Sequence, residues 1–167
     1  MSVEMKTLEI TYGDVLNIHK CLSDLYKVKG NVYFSFAIAK NIKATEQLIE
    51  PLQTSLEPLD DLKEFEVKRK EICEKYCEKD AMGQPIINPN STYVIKPDNM
   101  DLVDEMVNKL KEEYTEAFKD RQKQIDDYNE LLLETISVEL CTISLEHFPE
   151  QISAEKLYAL VEHELLV

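Results

Sequence analysis

PDNMDLVDEMVNKLKEEYTEAFKDRQKQIDDYNELLLE, residues 97–134, decides the fold class. After Pro97 it holds no proline and no glycine up to Glu134. Val103, Val107, Leu110, Tyr114, Ala117, Phe118, Ile125, Tyr128 and Leu132 recur at helical spacing, which predicts one face of a helix held for roughly nine turns. A helix of that length cannot bury its own apolar face and needs a second long helix or a partner beside it. Asp98 is the expected N-cap, with Asp101 favourable in the first turn.

The residues before this stretch predict a short strand and three helices. KTLEI, residues 6–10, alternates as a strand does. Thr11 and Asp14 are spaced as a capping box, flanked by Ile10 and Val15 as a hydrophobic staple. The first helix then runs to about Lys27, with Gly30 as its expected C′ residue. A second helix starts near Asn31 and continues to about Ser55. Val32, Phe36, Ala39, Ile42, Ile49 and Leu52 read as its apolar face, and Pro51 should bend it. Pro58 suits the opening turn of a third helix over about Leu59–Glu78.

Asp80-Ala81-Met82-Gly83 reads as a turn, followed by two β runs, PIIN and TYVIK, forming a hairpin arm at 84–96. Beyond the long helix, Ile136, Val138 and Leu140 alternate, and the alternation then slips by one at Cys141. That slip implies either a bulge or a strand buried on both faces. This strand is expected to pair with LEI near the N-terminus. Ser153, with Ile152 and Leu157 as a staple, is expected to cap a last short helix. The resulting order is β-α-α-α-β-β-α-β-α. It describes a mainly α fold with small β elements, as one domain in which 59–134 form a protruding helical hairpin on a small mixed base.

Charge and composition narrow the function. The net charge is −14, yet Val15–Thr45 carries Lys20, Lys27, Lys29, Lys40 and Lys43 against Asp24 alone. That +4 corner leaves −18 elsewhere, so phosphate would be repelled over most of the surface and direct nucleic-acid binding is not expected. MSVEMKTLEI lacks the apolar core of a secretory signal, and no apolar run reaches membrane-spanning length. A cytoplasmic location, with virion association as the alternative, and free thiols at Cys21, Cys73, Cys77 and Cys141 are the expectations.

No motif for catalysis or cofactor binding stands out. Three scattered glycines cannot make a phosphate cradle, and no G-x-S-x-G is present. His163-Glu164 begins H-E-x-x-H, but Val167 holds the second histidine position. Cys73 and Cys77 share a helix face at metal-ligand spacing without two further ligands, and packing as small hydrophobes competes with that reading. The reading is of a non-enzyme without metal or cofactor.

The contact surface with most chemical character is Lys27, Lys29, Tyr33, Phe34, Lys40 and Lys43, where positive charge meets aromatic rings. The competing reading puts the aromatics in the core and the lysines in solvent. Self-association through the long helix is a further expectation.

Residues 72–85, Ile72-Cys73-Glu74-Lys75-Tyr76-Cys77-Glu78-Lys79-Asp80-Ala81-Met82-Gly83-Gln84-Pro85, carry a resemblance. The run resembles the L-x-E-Y-x-E-K-D-x-x-G turn of a family of uncharacterised small helical proteins from tailed bacteriophages and prophages. Ile72 replaces the leucine and Lys75 precedes the tyrosine, while Glu78-Lys79-Asp80 and Gly83 match. The resemblance covers about residues 6–95. It implies a phage protein-interaction module, an accessory of virion or tail assembly, and supplies no catalytic residues. An acidic inhibitor of a host defence protein that mimics nucleic acid is the alternative, and a metal-binding or enzymatic protein is the rival class.

Overall fold

A computed structural model describes residues 4–149, 152 and 157–167. The chain is mainly α-helical with one small antiparallel sheet, as its patterning requires. It groups into two compact units, one of Met1–Leu56 with Ile125–Val167 and one of Glu57–Gln124. The sequence suggested a single domain with residues 59–134 as an appendage. The second unit instead stops at Gln124, because Tyr128, Leu131 and Leu132 pack on the core of the first.

In the first unit, β1 (Met5–Thr11) pairs antiparallel with β2 (Thr135–Cys141), the pairing that alternation foretold. Leu8 faces Val138 and Ile10 faces Ile136 in an unbroken register. The slip at Leu140-Cys141 is therefore no bulge. Both residues are fully buried, so the strand end is covered on both faces.

Thr11 ends β1 and starts α1 (Tyr12–Tyr26) through a complete capping box. Its hydroxyl accepts the Asp14 N–H, and Asp14 accepts the Thr11 N–H. Such a cap contributes about 1 kcal/mol. Val15, Ile18, Leu22 and Leu25 form the buried stripe of α1. Gly30 is not its C′ residue, since the helix already closes at Lys27. Glycine is needed there for space: a Cβ would stand 2.3 Å from the Phe34 ring.

Asn31 caps α2 (Val32–Ser55) by accepting the Phe34 N–H at 2.9 Å. Phe34, Ala37, Ile38, Ile49 and Leu52 are its buried apolar residues, together with the polar Asn41 and Thr45. Each fully buried Phe, Ile or Leu contributes about 1.5–3 kcal/mol of apolar burial. The backbone of Cys141 points away from β1, and Asn41 meets it there. The Asn41 amide donates to the Cys141 carbonyl at 2.9 Å and accepts its N–H at 2.7 Å. One side chain thus completes the end of β2 as a neighbouring strand would.

The short helix α6 (Tyr158–Glu162) ends in a Schellman motif. The Leu165 N–H reaches the Leu160 carbonyl and the Glu164 N–H reaches Val161, with Glu164 left-handed at φ 52°. Lys6 covers this helix end, donating to the His163 and Glu164 carbonyls. Leu166 then forms a parallel bridge with Ile143. The expected cap at Ser153 lies outside the described residues.

In the second unit, α3 (Asp60–Tyr76) packs on α4 (Met100–Glu113). Leu59 is the N-cap of α3, so Pro58 stands one residue before the helix and not in its opening turn. The long helix is interrupted at Tyr114, and α5 (Thr115–Leu131) continues beyond it. No proline or glycine causes this. The Thr115 hydroxyl donates back to the Glu112 carbonyl at 2.8 Å, a competition with the helical ladder that bends helices. Phe65 meets the rings of both Tyr114 and Phe118 edge-on, holding the interrupted turn. Asp98 does not cap α4: it sits inside a 3-10 turn over Pro97–Asn99.

The expected hairpin arm includes a third segment. Glu78 N–H donates to Val94, Val94 N–H to Ile86, and Ile86 N–H to Glu78, closing a ring of three extended stretches. Asp80 Oδ1 accepts the N–H groups of Met82 and Gln84, and Gly83 takes φ 80° to complete the turn. Among the described residues no helix is long and apolar enough to cross a membrane.

Candidate interaction site

The Asn31 cap sets which residues of α2 face outward. At 3.6 residues per turn, Val32, Phe36, Lys40 and Lys43 share one side, with Tyr33 at its margin. The opposite side carries Phe34, Ile38, Asn41 and Thr45 into the core. Val32 is 80% exposed, Phe36 55% and Tyr33 44%, while Phe34 is 1% exposed. Phe34 is therefore core, edge-on to Phe148, and is removed from the proposed contact set.

The other five residues of that set are exposed. Lys40 and Lys43 extend the outward face of α2, whereas Lys27 and Lys29 lie in the turn before it. Lys27 is 3.5 Å from Asp24, and the Lys40 ammonium rests 3.2 Å from the Met5 thioether. Lys29, Lys40 and Lys43 have no carboxylate partner among the described residues. In the second unit Lys63, Lys68, Arg69, Lys109 and Lys119 each pair with an acid three or four residues away, whereas Lys70, Lys75, Lys79, Lys96, Lys111 and Lys123 have no carboxylate partner among the described residues. What distinguishes the α2 surface is that Lys40 and Lys43 share a helix side with exposed Val32 and Phe36.

Phe36 and Val32 belong to this surface although their spacing read as core. Apolar residues occupy both sides of α2, and polar Asn41 and Thr45 disguise the buried stripe. The available signal was the Asn31 cap together with Phe34, Ile38, Asn41 and Thr45 at successive turns.

Tyr33 also borders a cleft of about 370 Å³ lined by Ala37, Thr142, Ser144, Glu146 and His147. The Tyr33 and His147 rings stack at 4.9 Å. The Ser144 hydroxyl accepts the Glu146 N–H, which ties it to the backbone of its own turn. His19 Nδ1 lies 2.9 Å from the Thr45 hydroxyl, but Thr45 is wholly buried and that hydroxyl also donates to backbone carbonyls of α2. Neither grouping presents an activated nucleophile to a substrate.

Cys73 lies in the last turns of α3, and Cys77, four residues on, is close enough to act on its thiol. Cys77 is the C-cap of α3, turns into the bridge with Ile95, and points its thiol at the Glu74 carbonyl. Burial pushes the Cys73 thiol up, with Arg69 opposing. Burial likewise raises Cys141, against Lys40. Thiols held protonated in this way are weak nucleophiles and weak ligands. Among the described residues no three His, Cys, Asp or Glu side chains converge as a metal site. No family model, curated protein or solved structure matches the chain.

Proposed function

We propose that the chain is a non-enzymatic protein-interaction module whose contact surface is the outward face of α2. The observation that carries this reading is the juxtaposition of exposed Val32, Tyr33 and Phe36 with Lys29, Lys40 and Lys43, which have no carboxylate partner among the described residues. Aromatic and aliphatic side chains supply the desolvated centre of a contact, and the lysines select an acidic rim. The partner is therefore an acidic protein segment with apolar residues at helical spacing. The setting is phage or prophage assembly, and for that the turn motif at 72–85 is the support.

The nucleic-acid-mimic reading has less in its favour. In the second unit Asp60, Glu64, Glu66, Glu105 and Glu116 pair with neighbouring cations, and exposed Lys70, Lys75 and Lys111 are interleaved with the acids that have no such pair, which gives a mixed surface.

Amide chemical shifts of the full chain, titrated with acidic, neutral and basic amphipathic helical peptides of one apolar pattern, test the proposal. The acidic peptide should perturb Val32, Phe36, Lys40 and Lys43, and Phe36→Ser or paired Lys40→Glu and Lys43→Glu should weaken it at least tenfold. Equal binding of all three peptides, or perturbation confined to other helices, overturns the assignment.

A further inference from the structure

The two-stranded sheet has a free edge along β1, and hydrogen bonding fixes which groups point out of it. Thr142 N–H reaches the Glu4 carbonyl and Tyr12 N–H reaches the Glu134 carbonyl, so even-numbered residues of this segment face β2. Met5, Thr7 and Glu9 consequently direct their N–H and C=O groups away from the sheet. Thr11 does so too, but Asp14 already takes its N–H at 3.0 Å. Among the described residues nothing hydrogen-bonds to the outward groups of Met5, Thr7 or Glu9. Thr7 and Glu9 are exposed, and the strand has no proline and no bulge, while its one lysine, Lys6, is engaged with the end of α6. The matching edge of β2 is different, because Asn41 blocks it at Cys141.

We infer that a second copy of this chain pairs here, β1 against β1, antiparallel about a two-fold axis through Thr7. That register sets Thr7 opposite Thr7 of the second copy and Met5 opposite its Glu9. It engages all three free residues in about six ladder bonds. Threonine pairs are favourable neighbours across strands, and no like charges meet. An axis at Leu8 brings in the already bonded Thr11 and leaves about four bonds, and an axis at Glu9 opposes two carboxylates. The product is a four-stranded sheet, β2-β1-β1-β2, more stable than an isolated pair of strands. An edge contact of this size forms a weak dimer, populated at roughly 100 µM and above.

Sedimentation equilibrium of the full chain from about 1 µM to 1 mM reads the association. A monomer–dimer equilibrium is expected, weakened at least tenfold by Thr7→Pro. That proline removes an outward N–H and leaves the β1–β2 ladder intact. A hydrogen-bonded pair spaces Cα atoms about 5.5 Å apart, within disulfide range. Mild oxidation should therefore link Thr7→Cys into a covalent dimer, while Ser137→Cys on the other edge, like the unsubstituted chain, stays unlinked. If circular dichroism shows that Thr7→Pro unfolds, the cross-link alone decides. A monomer across the whole range overturns the inference. So does a dimer that Thr7→Cys fails to trap, because its contact lies elsewhere, for instance on α4 and α5.

Discussion

Asn41→Leu removes the one side chain that satisfies both outward backbone groups of Cys141. In the native chain those bonds are 2.7 and 2.9 Å long, and Asn41 and Cys141 are about 1% and 0% exposed. Leucine has the same number of side-chain heavy atoms and the same branch point as asparagine, is bulkier, and has no polar atom. Each orphaned group costs about 1–3 kcal/mol, and the added apolar burial returns about 1–2 kcal/mol. The expected net loss is about 3 kcal/mol, a large share of the roughly 5–15 kcal/mol that holds a typical domain together. For a chain of this size that lowers the melting temperature by about 6–12 °C. Urea denaturation gives the free energy, and hydrogen exchange at the Cys141 amide gives the local effect.

Asn41→Asp adds a sign test. A protonated carboxyl can reproduce both bonds, but a carboxylate repels the Cys141 carbonyl. Its folded pKa should lie above its unfolded value of about 4. Stability should then be near native below that pH and fall as pH rises through the folded value. A loss under about 1 kcal/mol for Asn41→Leu, with unchanged exchange at Cys141, refutes the reasoning that unsatisfied backbone is the dominant cost.

Asp14→Asn tests the cap of α1. Burial raises the native carboxyl, but the Thr11 hydroxyl and N–H, with His163 at 3.8 Å, outweigh it and hold the pKa below its ordinary value. The native chain therefore has stability that is present above the unfolded pKa and lost as pH falls through the folded one. With the side chain about a third exposed, the gap to the variant should be about 1 kcal/mol at pH 7 and vanish near pH 2, as read by denaturation across pH. Glu164→Gly should stabilise by about 0.5–1 kcal/mol, because glycine relieves a left-handed residue and the lost pair with Lys6 is solvent-exposed; a lower melting temperature would show that this pair outweighs the strain.

Local chemistry made much of this molecule legible. Thr11 and Asp14 name their own capping box, Asn31 starts α2, Asp80 and Gly83 make their turn, and alternation at Leu8, Ile10, Ile136 and Val138 pairs the chain ends. The candidate surface was half legible. The lysines between Lys27 and Lys43 mark it by charge, but the aromatics were split wrongly because α2 has apolar residues on both sides. Only packing against α1 and β2 sends Phe34 inward and leaves Phe36 in water.

What the sequence by itself determined is the helical class, the caps and turns, and the uneven charge, since each depends on residues within a few positions of one another. The tertiary structure decided the rest. Phe65, distant in sequence, meets the interrupted turn at Tyr114, and the cores to which Ala117 and Tyr128 belong divide one helical run between two units. Asn41 became a surrogate strand only because residue 141 folds back beside it. Periodicity along a chain records which side of an element is apolar. It does not record which of two apolar sides finds a neighbour, because that depends on contacts between residues far apart in sequence.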